Sequence, residues 1–157
     1  MAADIDAVGD ALTRLVRVLK SGRLHDSLVN QAGVQIDRPG LAIMNVLRDA
    51  GEPRRIGQIA AELQVEGPHI TRHVGHLERR GYIRRLPDPA DRRAWLIEPT
   101  DAGLEAMTRC RTISSAWLRD VVADWPEEDL RELTRLVPRL ADALEANVRA
   151  RTADPAS

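Results

Sequence analysis

Residues 57–100 decide the fold. Gly57-Gln58-Ile59-Ala60-Ala61-Glu62-Leu63 reads as a short helix, Gln64-Val65-Glu66-Gly67 as a turn, and Pro68 through Arg80 as a second helix. Gly81 stops that helix, and Tyr82–Leu86 is a strand candidate. Pro87-Asp88-Pro89-Ala90-Asp91-Arg92-Arg93 is expected to form a turn, from which Ala94–Glu98 returns as a second strand. Helix, short turn, helix and hairpin in that order describe a winged helix-turn-helix, a module that reads duplex DNA.

Charge supports this through its placement, not its total. The net charge of −1 argues at first against a nucleic-acid partner. Residues 1–52 carry six basic and seven acidic groups, and residues 98–157 carry eight and twelve. Residues 53–97 carry nine basic against five acidic, a local +4. A basic face steers a polyanion to one surface even on a nearly neutral molecule. The apolar content of 43% excludes wholesale disorder. No apolar run approaches the roughly 18 residues of a membrane span. The opening Met1-Ala2-Ala3-Asp4-Ile5-Asp6 is acidic, unlike a secretory leader, so a cytoplasmic location is expected. One cysteine, Cys110, allows no internal disulfide and no multi-cysteine zinc site.

Outside the hairpin and its helices the chain reads as helical. Ile5, Val8, Leu12, Leu15, Val16, Leu19, Leu24 and Leu28 recur near helical spacing over 4–30, with Gly22 a possible break. Asp37-Arg38-Pro39-Gly40 is a helix start, and Leu41–Asp49 should follow it and stop at Gly51. Thr100-Asp101-Ala102-Gly103 resembles an N-cap for a helix reaching about Ala123. Pro126-Glu127-Glu128-Asp129 opens the last helix, with acids where the helix dipole favours them. Its stripe is Leu130, Leu133, Leu136, Val137, Leu140, Leu144 and Val148; Pro138 within it should produce a kink, and Thr152–Ser157 should fray. A winged-helix core is too small to cover these first and last stripes. The expected class is therefore mainly α with a small β-wing. Residues 37–100 form the DNA-binding region, and 1–36 with 101–157 form a helical region shared between two copies of the chain. The alternative is that these helices fold back on their own DNA-binding unit.

On the second helix, about 100° per residue places Ile70, Val74 and Leu77 on the core side. Arg72, Gly75, His76 and Arg79 point away from it, with His69, His73 and Arg80 on a flank. Residues at the start of a recognition helix reach base edges. His69, Thr71, Arg72 and His76 are thus the base-reading candidates, and Arg79 adds charge to the same face. In the turn, Asp91 precedes Arg92-Arg93. A carboxylate there can hold a guanidinium extended by a bidentate pair, ready for a minor groove. The adjoining Arg84 and Arg85 make the tip more basic still.

These segments resemble the MarR family of transcriptional regulators. The resemblance rests on Ile59–Leu63, on Ile70-Thr71-Arg72-His73-Val74-Gly75-His76-Leu77-Glu78-Arg79-Arg80-Gly81-Tyr82-Ile83, and on Asp91-Arg92-Arg93-Ala94-Trp95-Leu96-Ile97-Glu98-Pro99-Thr100-Asp101-Ala102-Gly103. It implies a homodimer with two winged-helix lobes on a helical bundle. It also implies a repressor that binds double-stranded DNA, at a palindromic operator, and releases it when a small-molecule effector binds. Arg72 and its neighbours would then read the major groove, and Arg93, steadied by Asp91, the minor groove. Leu15, His25 and Met44 are candidate lining residues of an effector pocket near the junction of the two regions. The chain departs from the family pattern at Glu66, where a serine or threonine cap is usual, at His73, usually aliphatic, and at Pro99.

Competing chemistry has less support. His69, His73 and His76 share a helix face and could ligate a metal, but without a nearby cysteine no metal or other cofactor is expected. Cys110 is in phase with Met107, Ser114, Trp117 and Val121, which favours packing over a redox switch. There is no glycine-rich phosphate loop, serine elbow or HExxH-type motif, so no enzyme is expected. A constitutive or architectural DNA-binding protein remains the alternative to an effector-responsive repressor.

Overall fold

The computed structural model describes the backbone of residues 2–153 and the side chains of residues 5–151. The elements run α1 (Ala2–Leu19), α2 (Gly22–Gln31), α3 (Arg38–Ala50), β1 (Arg54–Arg55), α4 (Ile56–Leu63) and α5 (Gly67–Arg79). They continue with β2 (Ile83–Asp88), β3 (Asp91–Pro99), α6 (Asp101–Val121) and α7 (Glu127–Ala153). The fold is thus mainly helical with a small antiparallel sheet in the order β1-β3-β2.

The apolar stripe read across residues 4–30 belongs to two helices. Ser21 adopts an extended conformation between α1 and α2, and Gly22 opens the second helix. α3 begins as its residues dictate: the Asp37 Oδ1 accepts from the Gly40 amide at 2.8 Å, and Pro39 needs no amide partner in the first turn. Gly51, at φ 65°, closes the helix in the left-handed region.

The described residues up to Ser115 form one compact unit and those from Ala116 onward a second. The core of the first unit is drawn from α3, α4, α5 and β3. Ile43, Met44, Leu47, Ile59, Ile70, Val74 and Ile97 have essentially no accessible surface. α6 joins this core through Gly103, Ala106, Met107 and Cys110. Its start is anchored by Thr100, whose amide donates to the Tyr82 carbonyl and whose hydroxyl accepts from the Gly103 amide. Gly103 is required there, because a Cβ at this position would stand 2.0 Å from the Tyr82 carbonyl oxygen. Cys110 is buried as its helical phase predicts, and desolvation pushes its thiol above the ordinary range.

α1 leaves Ile5, Val8, Leu15, Val16, Val18 and Leu19 exposed. In the second unit α7 carries Glu127, Glu128 and Asp129 in its first turn and continues through Pro138. Its Leu136, Val137, Leu140, Leu144 and Val148 are exposed too. The tail read as frayed is helical to Ala153, and 154–157 lie outside the described residues. No helix among the described residues is long and apolar enough to cross a membrane.

Candidate nucleic-acid interface

The helix-turn-helix is built from α4 and α5. The Arg55 amide donates to Gln58 Oε1 at 2.8 Å, which satisfies the chain where α4 begins. Gln64 ends that helix at φ 54°, and the Val65 amide reaches back to the Ala60 carbonyl at 3.0 Å. Glu66 takes the cap position of α5 without a side-chain bond, so this helix starts uncapped, one residue before Pro68. Its inner face is Ile70, His73, Val74 and Leu77. His73 is therefore a packing residue on the core side, not a flank residue. Its Nδ1 lies 3.1 Å from Asp37 Oδ2, an ion-pair distance if the ring is protonated, but outside hydrogen-bond geometry.

Thr71, Arg72, His76 and Arg79 are exposed away from that face, and His69 is exposed on its flank beside His73. Thr71 Oγ1 donates to the Gly67 carbonyl within the helix at 3.0 Å. Arg79 Nη2 lies 3.0 Å from His76 Nδ1, so these two side chains hold one another on the surface. His69 and His73 pack edge to face at 4.7 Å between centroids, and among the described residues no group of histidines and acids is arranged to hold a metal.

The wing differs from its expected form. Only Pro89 and Ala90 make the turn, and β3 already begins at Asp91. Pro87 pairs with Trp95 while the next residue, Asp88, pairs with Asp91, so Arg92, Arg93 and Ala94 form a bulge in β3. A bulge bends a strand and re-aims its side chains, and here it displays two arginines. Asp91 does not grip the Arg93 guanidinium. Its Oδ1 accepts from the Arg93 backbone amide at 3.0 Å, which steadies the bulge through the main chain.

The carboxylate that does hold a guanidinium is Asp88. It is buried, and its Oδ2 receives Nε and Nη2 of Arg55, each at 2.5 Å. The Asp88 Oδ1 accepts from the Ala90 amide at 2.8 Å. Arg55 precedes α4, so this pair ties the wing turn to the entrance of the helix-turn-helix. The Arg55 hydrogen bond, with help from the Ala90 amide, holds the Asp88 carboxyl below its ordinary range, and the same bond raises Arg55.

Ion pairing sorts the nine arginines of residues 53–97. Arg54 pairs with Glu52, Arg55 with Asp88, Arg84 with Glu98 and Arg85 with Glu78. Arg84 and Arg85, read from the sequence as part of the basic tip, are thus neutralised locally. Arg72, Arg79, Arg80, Arg92 and Arg93 have no acidic partner among the described residues, Arg79 being held by His76 instead, and all five are exposed on α5, at its end, or in the wing bulge.

The proposed pocket residues have different surroundings. Met44 has no accessible surface and is a core residue beside Gly103. Leu15 is exposed on α1, and the half-buried His25 donates from Nε2 to the Ile36 carbonyl at 3.0 Å. A crevice of about 350 Å³ does lie nearby, lined by Val29, Val34, Ile36, His76, Leu77 and Arg80 among others.

Known proteins share this arrangement. Residues 35–94 match the model of the MarR family. The HTH-type transcriptional regulator PecS of Dickeya dadantii is 31% identical over 107 residues, which are 67% of this chain and 64% of PecS. BilQ of Clostridioides difficile, another HTH-type transcriptional regulator, is 29% identical over 80 residues, 51% of this chain and 54% of BilQ. The chain thus spans between about half and two thirds of the length of these relatives. A MarR family protein from Bacillus stearothermophilus superposes with a TM-score of 0.79, covering 92% of this chain and 98% of that one, at 15% identity. Residues 35–94 thus carry the winged helix-turn-helix that the MarR family model describes, on a fold shared with a MarR family structure.

Proposed function

We propose that this chain is a sequence-specific transcriptional regulator that binds duplex DNA as a homodimer. The observation that carries the reading is the set of five arginines without acidic partners among the described residues, Arg72, Arg79, Arg80, Arg92 and Arg93, on the recognition helix, at its end and in the wing. Unpaired cations on a surface retain their attraction for phosphates, whereas arginines already matched by carboxylates contribute less. α5 would enter the major groove with His69, Thr71, Arg72 and His76 toward base edges and Arg79 toward the backbone. Arg92 and Arg93 would follow the minor groove, with Asp91 fixing the bulge that presents them. The names of PecS and BilQ agree with this reading.

The dimer would be built from residues 1–36 and 101–157, which contain the exposed apolar residues of α1, α6 and α7. Two α5 helices would then meet successive major grooves about 34 Å apart, which calls for a palindromic operator. A repressor released by a small molecule is the form of regulation we favour, and the crevice beside His76 and Arg80 supplies a place where binding would shift α5. Selection from a pool of random duplexes, followed by footprinting, tests the reading. A discrete protected palindrome supports it. Diffuse protection points to an architectural protein, and no binding rejects DNA recognition.

A further inference from the structure

The wing carries an apolar feature that its charges do not explain. Trp95 is 50% exposed, although indole is among the largest apolar surfaces a chain can bury. It is paired across the hairpin with Pro87, which is exposed as well. Directly paired residues share a face of the sheet. Two residues further along β3 stands Ile97, fully buried, and strand alternation puts it on the same face as Trp95. Arg85, the partner of Ile97 on β2, bonds Glu78 of α5 from that face. The Trp95–Pro87 pair therefore continues the side of the sheet turned toward the recognition helix, but projects beyond the core. The bulge with Arg92 and Arg93 follows at once.

We propose that Trp95, backed by Pro87, is an apolar contact to the deoxyribose wall of the DNA groove that Arg93 enters. This rests on the DNA-binding reading above. Two residues of extended chain span about 7 Å at most, so an arginine in the groove brings the indole within reach of the adjoining sugars. The surroundings favour a nucleic acid over an apolar protein partner. Arg92 and Arg93, three and two residues before the ring, have no acidic partner among the described residues. The wing acids are engaged, Asp88 by Arg55 and Asp91 by the Arg93 amide. A sugar is the apolar part of a strand whose phosphates those arginines would hold. It carries no sequence information, so the contact adds affinity without selectivity. It also releases no counterions, so its contribution is independent of salt.

Fluorescence anisotropy with two labelled duplexes, one recovered by selection and one of mixed sequence, tests the assignment across a salt series. Trp95→Ala should bind both about ten-fold more weakly, by analogy with aromatic contacts to nucleic acids. The slope of log affinity against log salt should match wild type, and Trp95→Phe should retain most of the affinity. Equal binding by Trp95→Ala and wild type at every salt concentration overturns the proposal, as does a loss that appears only as a shallower slope. A wild type that binds neither duplex rejects the DNA reading itself. A second measurement avoids any variant at this position. With Trp117→Phe and Trp125→Phe in place, acrylamide quenching of the remaining tryptophan should fall when the duplex is added. Unchanged quenching at saturation by duplex overturns the proposal.

Discussion

Asp88 binds both Nε and Nη2 of Arg55 at 2.5 Å, and so joins the turn of the wing to the residue that precedes α4. The two residues are 33 apart in sequence, and the pair ties the turn just before Arg92 and Arg93 to the start of α4. Arg55→Ala leaves a buried carboxylate without its guanidinium partner, held by backbone amides of the wing turn. The expected result is a lower thermal midpoint and weaker DNA binding, measured by melting and anisotropy on the same preparation. Unchanged binding would show that the wing keeps its position without the clamp.

The same pair predicts behaviour in acid. The folded Asp88 carboxyl titrates below its ordinary value of 3.8. Its stabilisation is therefore present above that pH and is lost as pH falls below about 4 and through the folded value. Asp88→Asn should be less stable than wild type at neutral pH, with the difference shrinking in acid. Denaturant melts at a series of pH values check this, and a constant difference down to the acid limit contradicts it.

Gly103 and Tyr82 offer a test of the join between the wing and α6. A methyl at position 103 would stand 2.0 Å from a backbone oxygen, which cannot swing away as a side chain can. Gly103→Ala should cost about 3 kcal/mol or more. Gly57→Ala, in α4 with nothing within 4 Å of the new carbon, should instead stabilise by about 0.5–1 kcal/mol through helix propensity. Chemical denaturation of both variants separates the two outcomes.

Much of this was legible because its causes are local. The short helix, the turn after Leu63 and the recognition helix follow from periodicity and punctuation within some twenty residues, as does the burial of Cys110. Other features depend on residues distant in sequence. β1 is two residues, Arg54–Arg55, that are a strand only because β3 lies beside them. Proximity in sequence points to Asp91 as the holder of the Arg93 guanidinium, whereas the carboxylate that holds one is Asp88, whose partner Arg55 lies 33 residues upstream. Counting charge likewise could not tell that Glu98 and Glu78 occupy Arg84 and Arg85. The burial of Met44 likewise depends on a distant residue, Gly103 of α6, which packs beside it. The break between α1 and α2 was marked by Gly22, though the stripe runs across it in helical phase.

The exposed residues of α1 and α7 predict a dimer. Sedimentation at micromolar concentration should give roughly twice 17.4 kDa. Leu144→Glu should shift the population toward monomer, because it places a charge in an apolar stripe that needs a partner. A wild type that remains a folded monomer would contradict the shared bundle.

The central claim is that α5 and the wing together bind DNA, and Arg93 tests it most directly. Wild type, Arg93→Ala, Asp91→Ala and the remote control Arg131→Ala should be titrated against a selected duplex over a range of salt. Arg131 pairs with Glu127 on α7, so its loss should leave binding unchanged. Arg93→Ala should lose about 1–3 kcal/mol and, where it contacts phosphate, reduce the salt slope by about one. Asp91→Ala should show a smaller loss in the same direction, through a loosened bulge. Indistinguishable binding by wild type and Arg93→Ala across the whole salt series would contradict the account.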